Sequence, residues 1–335
     1  MGKHPHNIMA LPAAAALAAL AATAFAEKTE PPRCLVLFDG MGLARLGLEQ
    51  AGFRCTGVEL CPHKHYLSRF VGNPEALILG DVVEVCTDEF LSGFDAIWAS
   101  PPCQVRSSAR ALSKRHKGEG PCKKNLMDWA LTLLDRFEGP VWIENVKTKN
   151  NDWGILYNAA QFTTPPIQNR SRVIGGRYPL PMVDRLYKPH YPGIEGMRLL
   201  QGEEWITLPR ETKSGDRSEG VCPAVTASER HATKNPTDPD KYFTSPSGRA
   251  FAARFYNRRM TVEEAAFHMG LGVGWNLPAG WWRQAPIALS KAKWEDQLYQ
   301  GLGNGVPVYM ARAFGEALLS DGPKQWFVTE SREHE

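Results

Sequence analysis

Cys34-Leu35-Val36-Leu37-Phe38-Asp39-Gly40-Met41-Gly42 decides the architecture of this chain. The apolar run at its start has no period-two alternation, the pattern of a strand buried on both faces of a parallel sheet. It ends in a glycine turn, where backbone can approach a ligand. Leu43 to Ala51 then reads as a helix stopped by Gly52. Strand, glycine turn and helix in this order open a doubly wound α/β fold.

The alternation continues outward. Thr56 to Leu60 is a second strand carrying Glu59, and Ala76 to Leu79 is a third, followed by Gly80-Asp81. Asp95 to Ala99 is a fourth, running into Ser100-Pro101-Pro102-Cys103-Gln104. Leu126, Ala130, Leu133, Leu134 and Phe137 share one helical face. Val141-Trp142-Ile143 is a fifth strand, leading into Glu144-Asn145-Val146. Strands alternating with helices predict a mostly parallel sheet of Rossmann-like type. Ligands of such sheets sit at the carboxyl ends of strands. Asp39, Glu59, Asp81, Cys103 and Glu144 all fall at such ends. Acids there also serve as turn residues or helix caps, a reading that covers one or two of them and strains at the whole set.

From about Gly176 to Arg258 prolines, glycines, aromatics and mixed charges replace the periodicity, which marks a smaller, loop-rich domain. Thr261-Val262-Glu263-Glu264 forms a capping box ahead of Ala265, Ala266 and Met269. Gly303-Asn304-Gly305-Val306-Pro307 opens a helix from Val308 to Leu319.

The 335 residues are enough for one large and one smaller domain, and 43% hydrophobic against 22% charged residues describes a globular chain. A net charge of +3 permits a nucleic-acid partner without demanding one. The seven cysteines are odd in number and form no CxxC, which argues for reduced thiols in the cytoplasm. Cys61-Pro62-His63-Lys64-His65 lacks a second ligand pair at zinc spacing, so no metal is expected. Lys3 and the alanine- and leucine-rich run that follows it resemble a secretory signal. The run is short and alanine-rich for a membrane span, and we read it as an inert leader or mis-called start, with no membrane partner.

Pro101 and Pro102 stiffen the turn that presents Cys103 at a strand end. That suits a positioned nucleophile better than a buried structural thiol, the usual fate of a free cysteine. A glycine turn after a strand also suits a nicotinamide cofactor, but the third glycine of GxGxxG is here Arg45.

The order of these pieces resembles the cytosine carbon-5 DNA methyltransferases. Leu37 to Glu49 is similar to their first motif, Pro101-Pro102-Cys103-Gln104 to the nucleophile motif and Glu144-Asn145-Val146 to the ENV motif. Gln168-Asn169-Arg170-Ser171-Arg172 is similar to QxRxR, Arg259 to Glu264 to the motif after the target-recognition region, and Gln300 to Val308 to the last motif. Val36, Leu43 and Arg106 depart from the family's usual residues. The resemblance implies an S-adenosylmethionine-dependent methyltransferase fold with a smaller, loop-rich target-recognition domain. It implies a leader at 1–32, a catalytic cofactor-binding domain at 33–175, a target-recognition domain and hinge at 176–295, a returning segment at 296–320 and a tail at 321–335.

By the same resemblance the chain is a DNA (cytosine-5-)-methyltransferase. Carbon 5 of cytosine is a poor nucleophile until a thiolate adds at carbon 6, so Cys103 is the expected nucleophile. Glu144 is expected on N3 and N4 of the base, with its carboxyl titrating above the free value. Arg172 is expected on O2, and Arg170 is expected to hold that pair. For S-adenosyl-L-methionine the resemblance implies Phe38 on the adenine, Gly40 and Gly42 by the methionine part, Glu59 on the ribose and Asp81 on the adenine amine. Pro102, Asn304 and Val306 would line the same pocket. The basic run Arg106, Arg110, Lys114, Arg115, Lys117, Lys123 and Lys124 suits closure on phosphates, with a solvated loop as the bland reading. Arg249, Arg254, Arg258 and Arg259 are candidates for phosphate or guanine contact. Double-stranded DNA is the expected partner of a monomeric, cytoplasmic, nucleoid-associated enzyme. A cognate restriction endonuclease is a further partner the resemblance allows. A tRNA-methylating role is the alternative within the family, and a catalytically idle DNA-binding role is one that the intact Cys103, Glu144, Arg170 and Arg172 argue against.

Overall fold

The computed structural model describes residues 30–102, 126–147, 153–163, 168–183, 262–272, 275, 277–321 and 324–329, with short strands at 197–201, 204–208, 210–211, 217–218 and 222–223. In chain order the elements are β1 (Arg33–Leu37), α1 (Leu43–Ala51), β2 (Arg54–Glu59), α2 (Pro62–Ser68), β3 (Leu77–Leu79), α3 (Val82–Val85), α4 (Asp88–Leu91), β4 (Ala96–Ala99), α5 (Leu126–Leu131), α6 (Leu133–Arg136) and β5 (Val141–Val146). There follow β6 (Ile155–Asn158), β7 (Gln168–Asn169), β8 (Ser171–Pro179), β9 (Met197–Gln201), β10 (Glu204–Leu208), β11 (Arg210–Glu211), β12 (Arg217–Ser218) and β13 (Cys222–Pro223). The last are α7 (Val262–His268), α8 (Lys291–Asn304), α9 (Val308–Leu319) and β14 (Trp326–Val328). The chain divides into two compact units: Met1–Tyr157 with Ser171–Met182 and Met310–Glu335, and Asn158–Arg170 with Val183–Tyr309.

The first unit is built on one sheet in the order β14-β8-β5-β4-β1-β2-β3, with β6 also pairing β8. From β5 to β3 every neighbour pair is parallel, while β8 and β14 are antiparallel. This is the mixed α/β class with a mostly parallel sheet. The parallel strands are apolar because both faces are covered: Leu35, Leu37, Ile97, Val141 and Ile143 all lie in one buried cluster. The strand order reverses between β1 and β4, so their carboxyl ends flank the crevice where α/β sheets bind ligands.

Helix α1 begins after Gly42 and stops at Gly52, both in the left-handed region. The helical face read across Leu126 to Phe137 is broken in two at Thr132. Its amide is shared between the Asp128 and Trp129 carbonyls, and its hydroxyl donates to the Trp129 carbonyl at 2.7 Å. Helix α9 has the bounds that the sequence predicts.

Strand β8 was not legible. Gly175-Gly176 in its middle weakens the strand pattern, yet β8 pairs β5 over six positions. A Cβ at Gly176 would run into the Val141 carbonyl, so close approach of two backbones is the reason for glycine there. The capping box proposed at Thr261 rests on a residue outside those described.

On one face of the sheet Phe314 of α9 is fully buried. It meets Trp98, Tyr157 and Tyr178 edge-on, at 5.9, 5.1 and 5.4 Å between ring centres. Truncating it leaves a cavity among rings that cannot collapse inward. Phe314→Ala is expected to lower the unfolding free energy by about 3–5 kcal/mol, read from urea titration followed by tryptophan fluorescence.

Candidate active site

The turn after β1 holds backbone that few residues adopt. Phe38 has φ 58°, the one positive φ among the described non-glycine residues, and Gly40 and Gly42 have φ 60° and 84°. A bulky residue in this region stores strain of about 1–3 kcal/mol and points to a functional site. The turn closes through the Gly42 amide on the Asp39 carbonyl at 2.8 Å, while the Asp39 amide donates to the Val58 carbonyl at 3.0 Å. The Phe38 ring is half-buried and meets Trp129 edge-on at 6.0 Å.

Glu59, at the end of β2, is buried and spends both oxygens on backbone. Oε2 accepts from the Gly40 amide and Oε1 from the Cys61 amide, each at 2.8 Å. It therefore ties the glycine turn to the start of α2. A carboxylate oxygen accepts more than one hydrogen bond, so capacity for a hydroxyl remains. Asp81 is half-buried and is the N-cap of α3, its Oδ1 accepting from the Val83 amide at 2.9 Å. Asp81 is thus one of the strand-end acids that do serve as helix caps.

Past β4, Pro101 is buried and Pro102 exposed. Cys103 and the basic run from Arg106 to Lys124 lie outside the described residues. Pro101 is held by Asn145 of β5, a residue with no separate role in the motif reading. Its Nδ2 donates to the Pro101 carbonyl at 3.2 Å, and its Oδ1 accepts from the Val146 amide at 2.8 Å.

Glu144 and Arg172 come together through strand register. Val146 lies opposite Arg172 and Glu144 opposite Ile174, so Glu144 and Arg172 are diagonal neighbours on one face of the β5–β8 ladder. Arg172 Nε stands 2.7 Å from Glu144 Oε1, with both side chains more than nine-tenths buried. The approach is that of an ion pair, without a well-aligned hydrogen bond through that N–H. Arg172 Nη1 also donates to the Ser171 carbonyl at 2.9 Å.

Arg170, Asn304 and Val306 belong to the second unit. There Arg170 is buried, and its Nη2 donates to the Gly303 and Gly305 carbonyls, each at 2.7 Å. Asn304 between them is exposed and Val306 is buried. Gln168 is fully buried, its Nε2 donating to the His268 carbonyl at 2.5 Å and lying 3.1 Å from the Tyr309 hydroxyl. Arg249, Arg254, Arg258 and Arg259 lie outside the described residues.

Cys61 Sγ is 4.0 Å from His63 Nδ1. Among the described residues no group of three or more His, Cys, Asp or Glu gathers as a metal site would. No helix among them is long and apolar enough to cross a membrane.

The fold is a Rossmann-like α/β sheet with a strained glycine turn after β1 and a buried charged pair across β5 and β8. Residues 33–152 match the family described as C-5 cytosine-specific DNA methylase. The match bears out the resemblance to cytosine carbon-5 methyltransferases over the first motif, the nucleophile motif and the ENV motif, which lie within it. No curated protein matches the chain significantly. Among solved structures, the chain is similar to the S. pombe Dnmt2 methyltransferase, with 16% identity over 86% of this chain and 98% of that one and a TM-score of 0.49. It is similar to a mutant of Spodoptera frugiperda DNMT2, with 15% identity over 86% of this chain and 100% of that one and a TM-score of 0.48. It is also similar to a prophage-encoded DNA modification methyltransferase of E. coli, with 14% identity over 86% of this chain and 98% of that one and a TM-score of 0.48.

Removing one partner of a buried ion pair strands the other charge. Arg172→Met is expected to cost about 3–5 kcal/mol of stability by denaturant titration, and adding Glu144→Gln to it should restore much of the loss. A double variant no more stable than Arg172→Met would show that the two side chains do not depend on each other.

Proposed function

We propose that the chain transfers a methyl group from S-adenosylmethionine to carbon 5 of a flipped-out cytosine in duplex DNA, through a covalent bond from Cys103. The observation that carries this reading is the buried Glu144–Arg172 pair, set on the strand whose Asn145 anchors Pro101, two residues before Cys103. A carboxylate and a guanidinium fixed this way match the donor and acceptor edge of a cytosine.

The glycine turn and Glu59 fit the cofactor: the turn is shaped in advance, and Glu59 keeps acceptor capacity for ribose hydroxyls. Phe38, Gly40, Gly42, Glu59, Asp81 and Pro102 would hold it. When bound, S-adenosylmethionine supplies an electrophilic methyl group.

The chain's own residues do the rest. Cys103, as thiolate, forms a bond from Sγ to carbon 6, and the displaced electron pair makes carbon 5 nucleophilic. Glu144, in its protonated form, donates its O–H to N3 and accepts from the exocyclic amine, and that proton balances the negative charge that builds at N3 as the Sγ–carbon 6 bond forms. Arg172 donates to O2 and draws electron density off the ring. Once carbon 5 carries the methyl group, its proton leaves to a base, the electron pair returns, and Sγ is expelled. Taking the cytosine from the stack costs a few kcal/mol, which contacts from the basic run after Cys103 to the phosphates would offset.

Duplex DNA carrying 5-fluorocytosine tests the chemistry, because fluorine cannot leave as a cation. The enzyme should remain covalently attached in the presence of cofactor, and Cys103→Ser should abolish the adduct while still binding the cofactor. Parallel assays with labelled methyl donor on duplex DNA and on tRNA decide the substrate: label entering tRNA and not DNA would move the reading to the tRNA-methylating branch.

The basic run has its own test. Neutralising Arg106, Arg110, Lys114 and Lys117 together should weaken DNA binding and reduce the slope of log affinity against log salt by about 0.9 for each phosphate no longer neutralised. An unchanged slope would remove this segment from the DNA interface.

A further inference from the structure

A guanidinium is buried directly behind the cofactor turn. Arg45 of α1 is fully buried, and each of its nitrogens has an acceptor. Nε lies 3.3 Å from Asp39 Oδ2. Nη1 lies 3.2 Å from Glu49 Oε1 and 2.7 Å from the Asn73 carbonyl. Nη2 lies 2.8 Å from the Ser68 carbonyl and 2.6 Å from the Val71 carbonyl. The arrangement uses the whole donor set of an arginine. Two glycines leave room for it: a Cβ on Gly42 would come within 2.6 Å of Arg45 Nη2, and one on Gly57 within 2.8 Å of Asp39 Cγ.

Asp39 is surplus to the needs of that arginine. Glu49 already supplies a counter-charge, and three carbonyls fill most of the guanidinium. Asp39 is nonetheless buried, and its Oδ1 has no hydrogen-bond partner among the described residues. A second buried carboxylate with an unmatched oxygen is costly. What Asp39 does do is sit between Phe38 and Gly40, both at positive φ, with its own amide and carbonyl closing the turn.

We propose that Asp39 is a positioning residue for the cofactor: its carboxylate, gripped by Arg45, locks the Phe38–Gly42 turn in the shape that receives S-adenosylmethionine. The inference rests on the methyltransferase reading above and adds to it a residue that touches neither cofactor nor base. Locking the turn beforehand removes an ordering cost from binding.

The charged state of Asp39 is within reach of ordinary pH. Burial pushes its carboxyl up to about 6, against the pull of Arg45 and with smaller upward pushes from Glu59 and Glu49, the charged groups that face it. The sign follows from linkage. The folded chain takes up this proton more readily than the unfolded chain, so the Asp39 contribution to stability rises as pH falls from 6 toward the ordinary carboxylate value. The lock is lost in the same window, so cofactor affinity falls. A purely structural ion pair would move the two together.

The test is calorimetric titration of the full chain with S-adenosylmethionine from pH 7.5 to 5, alongside thermal unfolding of the free protein. Wild type should lose about tenfold in affinity at pH 5, the fraction of Asp39 left ionised setting the factor. Asp39→Asn should bind weakly at both pH values with little pH dependence, while its unfolding midpoint at pH 7.5 equals or exceeds that of wild type. Equal affinity and equal pH profiles for the two proteins would overturn the role of Asp39 and leave the methyltransferase reading intact. A flat wild-type profile would do the same without need of a variant. Wild type that fails to bind S-adenosylmethionine at any pH would overturn the methyltransferase reading, and this inference with it.

Discussion

Burial of carboxylates at the carboxyl ends of β1, β2 and β5 is the constraint on which the site depends. A parallel sheet covered on both faces offers water only at its ends, and Asp39, Glu59 and Glu144 sit there with little exposure. Each must be matched by a donor before the sheet can close over it. Glu59 takes two backbone amides, Glu144 takes Arg172 and Asp39 takes Arg45. The three solutions fix three different things: the entry to α2, the β5–β8 face and the glycine turn. The geometry of the crevice is therefore set by how these charges are neutralised, and the apolar strands beneath supply only the platform.

The central strands were legible because burial on two faces leaves no room for polar residues, and a continuous apolar run has few other meanings. Glu59, Asp81 and Glu144 could be placed at strand ends for the same reason. What escaped the sequence depends on partners far along the chain. Strand β8 is recognised only by its six-position pairing with β5, since Gly175-Gly176 reads locally as a turn. Arg45 looks like the solvent face of an amphipathic helix, and nothing local says that the carbonyls of Ser68, Val71 and Asn73 will converge on it. Asn145 stands inside a recognisable motif, yet its service to the Pro101 carbonyl appears only when β4 and β5 are side by side.

The two arginines that are buried among the described residues of the first unit differ in kind. Arg172 is placed by register: β5 and β8 cannot pair as they do without bringing it diagonal to Glu144. Its contacts with Glu144 and the Ser171 carbonyl use only part of the donor set of a guanidinium. Arg45 is spent completely. A guanidinium with all its hydrogens matched has nothing left to offer a ligand, so its influence on binding passes through what it holds.

The same reasoning separates the arginines of Gln168-Asn169-Arg170-Ser171-Arg172, a motif that the boundary between the two compact units cuts after Arg170. Arg170 donates to the carbonyls on either side of Asn304, at Gly303 and Gly305, and Gln168 donates to the His268 carbonyl at the end of α7. Backbone carbonyls at helix ends are the groups a fold most needs to satisfy, and two members of the motif are committed to them. Arg172 alone lies on the sheet beside a carboxylate. A five-residue pattern that looks like a single signature thus holds two jobs: its first half shapes the second unit around α7 and the turn after α8, and its last residue supplies the counter-charge to Glu144 at the end of β5.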